Sequence, residues 1–252
     1  TGVERRLSAE ETPDGRPGAL LLAFGFSTDS LAAALPRRAG QCLMTCPTTA
    51  VFDGLDPQLV PEQPTTVTED HAPLGKHLRY FGDGFQKSKV VGGKRYWRIP
   101  VMDGEFFAVS EVRVGKGVAG GNIILQAAEP VAALAAARRG AEALAEFPGV
   151  IAPFPGGVAR SGSKVGSRYP KLKASTSEAF CPTLRGRVES KLHPEANCAY
   201  EIVIDGVDES SVAAAMAAAA RAAAGPDVLA ISAGNYGGKL GKYHFRLREL
   251  LG

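Results

Sequence analysis

The sequence predicts an α+β fold with two lobes, at least the second of them ferredoxin-like, and three observations carry that prediction. First, between residues 112 and 234 the pattern runs strand, helix, strand, long loop, strand, helix, strand, the β-α-β-β-α-β order of a ferredoxin-like unit. Second, 252 residues with 45% apolar and 22% charged side chains suffice for one large core or two modest ones. Third, Cys46-Pro47-Thr48 is followed later by Ala119-Gly120-Gly121-Asn122, and Cys181-Pro182-Thr183 by Ala233-Gly234-Asn235. Two related lobes would leave such an echo, although short Gly and Pro motifs also recur by chance.

Taken in order, the charged segment TGVERRLSAEETPDGRPG carries no apolar element, and residues 19–26 (ALLLAFGF) form a continuous apolar run that predicts a buried strand. Residues 27–38 read as a helix capped by Ser27 or Asp29 and disturbed by Pro36. A further helix is expected to begin near Pro47, where a proline sacrifices no hydrogen bond. Residues 56–74, rich in Pro, Thr and acids, read as an excursion. Asp83-Gly84 marks a tight turn, residues 94–101 a strand bearing Trp97, and residues 106–114 a weakly alternating strand. Residues 122–128 are strand-like. Residues 129–147 form a helix entered through Pro130 and stopped by Pro148-Gly149. After a short strand from residue 150, residues 198–205 (CAYEIVID) predict another strand, Asp208 caps an Ala-rich helix, and residues 227–233 a strand. Alternation of Tyr243, Phe245 and Leu247 with His244, Arg246 and Arg248 predicts a final strand.

Composition narrows the function. A net charge of +3 and 7% aromatic residues argue against a nucleic-acid binder. The longest candidate membrane stretch, around residues 212–224, contains Arg221 and falls short of a span of about 20 apolar residues. Four scattered cysteines, Cys42, Cys46, Cys181 and Cys198, make no C-x-x-C pair, so a metal site is not expected and a reduced cytoplasm fits. The chain opens at Thr1 without Met, which leads us to expect that something preceded it.

Residues 151–183, IAPFPGGVARSGSKVGSRYPKLKASTSEAFCPT, have neither helical nor strand period. Gly156, Gly157, Gly162 and Gly166 allow close approach to a ligand, and Arg160, Lys164, Arg168, Lys171 and Lys173 supply positive charge, so the run reads as a cradle for an anionic substrate. The same composition also suits a solvated connection. Ser161-Gly162-Ser163-Lys164 matches S-x-x-K, in which a lysine activates a serine, but K-T-G and S-D-N companions are absent. Gly157 to Lys164 nearly spells a phosphate-binding loop with Ser163 where its lysine belongs, and an NTPase is rejected.

Glu201 projects from the same strand face as Ala199 and Val203, and burial among them would raise its pKa and keep it protonated. An ordinary carboxylate on a wet sheet face is the competing reading. Neither His71, His77, His193 nor His244 has a partner at a telling spacing. The glycine turns at residues 117–122 (GVAGGN, with Gly120, Gly121 and Asn122) and 233–238 (AGNYGG) bring bare amides to strand ends, either to hold a carbonyl or planar heterocycle or simply to turn the chain.

The blocks EETPDGRPG, RAGQCLMTCPTTAVFD, YFGDGFQ, GVAGGN, APFPGGVARSGSKVGS, KASTSEAFCPT, CAYEIVIDG and ISAGNYGGKLGKY, in this order across nearly the whole chain, closely resemble formylmethanofuran–tetrahydromethanopterin formyltransferases, most of all the bacterial form found in the formyltransferase/hydrolase complex. The resemblance implies two ferredoxin-like lobes: a first, proximal one over residues 1–102, lacking its opening strand-helix-strand segment, and a second, distal one over residues 103–252. It implies a cleft between lobes and a one-carbon transferase moving a formyl group between a methanofuran-type amine and N5 of tetrahydromethanopterin, with both carriers as co-substrates and no prosthetic group. It also implies oligomers built from dimers, with hydrolase-complex subunits as further partners, and a catalytic role for Glu201. Because both carriers of the family bear anionic tails, Arg160, Ser161, Ser163, Lys164, Lys171 and Lys173, with Gly156, Gly157, Gly120, Gly121 and Asn122, become the expected substrate-binding residues.

Overall fold

The computed structural model describes residues 1–57, 66–234 and 242–252. The chain forms two compact α+β units, one of residues 5–116 and the other of residues 117–252 joined by residues 1–4. The units part after Lys116, and the boundary expected at 102/103 lies in the turn of a β-hairpin within the first unit.

Strand β1 (Gly2–Leu7), which starts in the second unit and continues into the first, pairs with β2 (Gly18–Leu22). The predicted apolar strand is thus present, but its alternate residues are exposed, because its only partner strand among the described residues is β1. Helix α1 (Thr28–Arg38) starts at Ser27, whose hydroxyl accepts from the Ser30 backbone N–H, and Pro36 is accommodated near its end. A helix from Pro47 does not form. A π-helical turn at Ala39–Leu43 precedes it, and the chain extends into β3 (Ala50–Val51). Part of the expected excursion is a strand, β4 (Val67–Pro73), and residues 58–65 lie outside the described residues. A short helix, α2 (Gly75–Leu78), is followed by the predicted turn, with Asp83 at φ +49° and Gly84 at φ +92°.

Strands β5 (Lys87–Val91), β6 (Lys94–Val101) and β7 (Gly104–Val109) then form a meander, with β3 parallel to β7, in the order β3-β7-β6-β5. Strand β8 (Glu111–Gly115) pairs antiparallel with β4. Ile99, Phe106, Ala108 and Val109 form the core, and the Tyr96 and Phe107 rings stack at 4.7 Å.

The second unit contains β9 (Val118–Ala127), α3 (Pro130–Glu142), β10 (Val150–Ile151), β11 (Lys164–Val165), β12 (Ala174–Ser175), β13 (Cys198–Gly206), α4 (Glu209–Ala223), β14 (Ala230–Ser232) and α5 (Leu247–Leu251). Its main sheet is antiparallel, ordered β10-β13-β9-β14, which places the two central strands of the predicted β-α-β-β-α-β arrangement side by side. Ile123, Leu125, Ile202 and Ile204 form one sheet face, and α3 and α4 cover it. Asp208 caps α4 by accepting from Ser211 N–H, and Val212, Ala215, Met216, Ala219 and Ala223 turn inward at helical spacing. The predicted final strand is absent. Residues 243–246 are irregular and Leu247 opens α5, with Phe245, Leu247 and Leu250 packed on this core, the last two three residues apart on the helix. No helix among the described residues is long and apolar enough to cross a membrane.

Candidate active site

Strands β9 and β13 pair with Val203 opposite Asn122 and Glu201 opposite Ile124. Because the apolar side chains at 123, 125, 202 and 204 face the helices, Asn122 and Glu201 share the other face. Both are buried there, Asn122 being 2% exposed and Glu201 5%. A wet carboxylate is therefore excluded.

Asn122 and Ala159 hold Glu201, and Gly234 acts on it through Asn122. Asn122 Nδ2 donates to Glu201 Oε1 at 2.7 Å, and Asn122 Oδ1 accepts from Gly234 N at 2.7 Å. The backbone N–H of Gly234 can face only an acceptor, so it sets the orientation of the amide and directs Nδ2 at Glu201. On the other edge of β13, Ala159 exchanges two backbone hydrogen bonds with Glu201, of 2.7 and 2.9 Å, so the Gly/Ser stretch begins docked beside the carboxyl group. Further along the strand, Asp205 is also buried and accepts from Gly120 N at 3.0 Å. Burial pushes its carboxyl above the ordinary aspartate range, and that hydrogen bond opposes the shift.

The other predicted residues divide. Gly121 packs the core, since a Cβ there would lie 2.6 Å from Val212 Cγ1 and 3.1 Å from Met216 Sδ. Gly157, at φ +74°, likewise passes Ala141, while Gly156, at φ +63°, and Gly120, at φ +102°, have open space beside them. The amides of Gly120 and Gly234 already donate to Asp205 and Asn122. Lys164 is ion-paired with Glu178 across the β11–β12 ribbon, and that contact holds the Glu178 carboxyl below its usual range. Arg160, Ser161, Ser163, Lys171 and Lys173 are exposed. Among the described residues no hydrogen bond joins Ser161 to Lys164, whose ammonium group is taken by Glu178. The glycine loop from residue 235 lies outside the described residues, and among those described no three His, Cys, Asp or Glu side chains gather as metal ligands.

Sequence reasoning assigns Asn122 to substrate, and the structure shows its side chain hydrogen-bonded to Glu201 and to the Gly234 backbone. It does not single out Asp205. The signal for that residue is nevertheless present, because residues 201, 203 and 205 alternate onto one face.

Two family models cover the chain. The one described as "Formylmethanofuran-tetrahydromethanopterin formyltransferase" matches residues 1–101, and that described as "FTR, proximal lobe" matches residues 104–250. The chain belongs to the formylmethanofuran–tetrahydromethanopterin formyltransferase family. The description gives the word proximal to the C-terminal stretch, the reverse of the lobe names expected from the sequence.

The family member of that name from Methylococcus capsulatus is 52% identical over 99% of this chain and 82% of its own length. A relative from Methylorubrum extorquens, named as a component of the formyltransferase/hydrolase complex, is 46% identical over 99% of this chain and 80% of its own. The solved structure of that complex with methylofuran contains a chain 45% identical to this one, with a TM-score of 0.86 over 100% of this chain and 81% of the other. The Methanosarcina barkeri enzyme structure is 43% identical, with a TM-score of 0.82 over 99% and 82%.

Proposed function

We propose that this chain transfers a formyl group between the amine of a methanofuran-type carrier and N5 of tetrahydromethanopterin, both acting as co-substrates without a prosthetic group. The observation that carries the reading is family membership over both halves of the chain, at 52% identity to a relative named for this reaction.

The chemistry requires an amine nitrogen to form a bond to the formyl carbon while the carbonyl electron pair moves to oxygen. Collapse of the tetrahedral intermediate restores C=O and breaks the bond to the departing nitrogen, which takes up the proton released by the attacking one. Glu201 acts as the acid, giving a proton to the formyl oxygen as the carbonyl opens and taking it back when C=O is restored. Asn122 donates to Oε1 and so fixes the orientation of the carboxyl group. With the Gly120 and Gly234 amides committed elsewhere, the carboxyl group takes the larger share of oxyanion stabilisation. Exposed Arg160, Lys171 and Lys173 meet the anionic tails of the carriers, with Ser161 and Ser163 beside them.

The M. extorquens relative is named as part of a complex, which favours hydrolase subunits as partners and supports a second reading, a carrier-binding subunit without catalysis of its own. Incubating the full chain with both carriers separates the two. Formyl transfer is the expected product, the absence of chemistry would support the second reading, and release of free formate would restore a serine hydrolase. The free thiols of Cys42, Cys46, Cys181 and Cys198 support a cytoplasmic location.

A further inference from the structure

The first unit carries an open cavity of about 700 Å³, lined by the turn before β6, the ends of β4 and β8, and the residues after β3. That volume suits a small organic molecule. Five cationic and three carboxylate side chains line it, and the imbalance is organised. Lys94 is ion-paired with buried Asp56, and Lys76 with Glu111. Arg79, Arg95 and Arg113 have no carboxylate within ion-pair distance among the described residues, and Asp53 accepts instead from the backbone N–H groups of Leu55 and Arg113.

The three arginines are held in place. Arg79 lies over the Tyr80 and Trp97 rings, at 4.4 and 4.8 Å from their centroids, and donates to Lys76 O and Tyr80 Oη. Arg113 donates to Leu55 O, and Arg95 to Ser88 Oγ. Each keeps further N–H donors beyond these bonds, since a guanidinium has five. A stacked, anchored guanidinium loses little freedom when it meets an anion and presents the planar fork that phosphate and carboxylate match.

We infer that this cavity binds a small organic anion bearing phosphate or carboxylate groups, with Arg79 and Arg113 as its principal contacts. The inference is independent of formyl transfer, because it uses no residue of the Glu201 site.

Trp97 is the chain's single tryptophan and lines the cavity, so its emission reports occupancy directly. The full chain is titrated at fixed ionic strength with inorganic phosphate, pyrophosphate, citrate or glutarate, with chloride as reference. A saturable emission change with one of the two anion classes is expected, weakening as salt rises, and the responding class identifies the group recognised. Arg79→Ala and Arg113→Gln should each weaken binding about tenfold, and Arg248→Ala should leave it unchanged. Equilibrium dialysis repeats the comparison, because Arg79→Ala alters the surroundings of Trp97 itself. No saturable response to any probe, or undiminished binding by both variants, overturns the inference.

Discussion

Asn122 holds Glu201 by a 2.7 Å hydrogen bond across the β9–β13 ladder, and its other amide atom is held by the backbone of Gly234. Two segments far apart in sequence thus meet through one buried amide. Asn122→Ala removes a donor from a buried carboxyl group, which costs about 1–3 kcal/mol of stability. On the formyl-transfer reading kcat should fall about tenfold to a hundredfold, with KM within a few fold, because the lost contact orients the acid and not the substrate. Steady-state kinetics with urea denaturation measures both. An unaltered kcat in a folded variant would remove Asn122 from the mechanism.

Replacing Glu201 tests the proton itself. Glu201→Gln preserves shape, and its amide can still satisfy Asn122, but it cannot pass a proton. Turnover should drop about a hundredfold or more, on the order of 3 kcal/mol, while substrate affinity stays within a few fold. Near-normal turnover would show that a hydrogen-bond donor suffices there and would take Glu201 out of the acid role.

Much of the second unit is legible in the sequence because its elements are locally consistent. Period-two apolar runs, the Asp208 cap and the Ala-rich helix all point to the observed order. Glu201 is legible for the same reason, as a charged residue inside a strand. Asn122 and Asp205 are harder to read, since their roles depend on cross-strand register and the bulge after Ile204. The first unit resists prediction where strands are short, exposed or rich in polar residues. Strand β5 (KSKVV) has no buried residue to set a period, and β4 (VTEDHAP) resembles loop. The last segment misleads because six alternating residues fit a strand, while packing on the core selects a turn of helix.

Lys164 is less available to substrate than its position in the Gly/Ser loop suggests, because Glu178 neutralises it. The exposed Lys171 and Lys173 carry the uncompensated charge. Lys171→Ala combined with Lys173→Ala should therefore raise the KM for the anionic carriers several fold at low ionic strength, with the effect fading as salt screens it. Lys164→Ala should have a smaller effect on KM and should let the Glu178 carboxyl move upward toward its usual range, with a backbone hydrogen bond and Arg168 still holding it down, visible in an NMR titration of that side chain. A larger KM effect from Lys164→Ala than from the double variant would reverse this assignment.

Asp205 makes the stability of the second unit depend on pH with a definite sign. Burial raises its carboxyl pKa in the folded chain, and the Gly120 N–H only partly offsets that rise. The folded state therefore holds this proton more tightly than the unfolded state. The resulting stability is fully present below the ordinary aspartate pKa and is lost as pH climbs through the raised folded value. Asp205→Asn keeps an oxygen to accept from Gly120 and cannot ionise. The variant's stability relative to the parent should therefore increase with pH across that window and level off above it. Urea unfolding at a series of pH values, followed by circular dichroism, gives the difference curve. A flat curve, or one that falls as pH rises, would mean that Asp205 is solvated well enough in the folded chain to titrate as it does in the unfolded one.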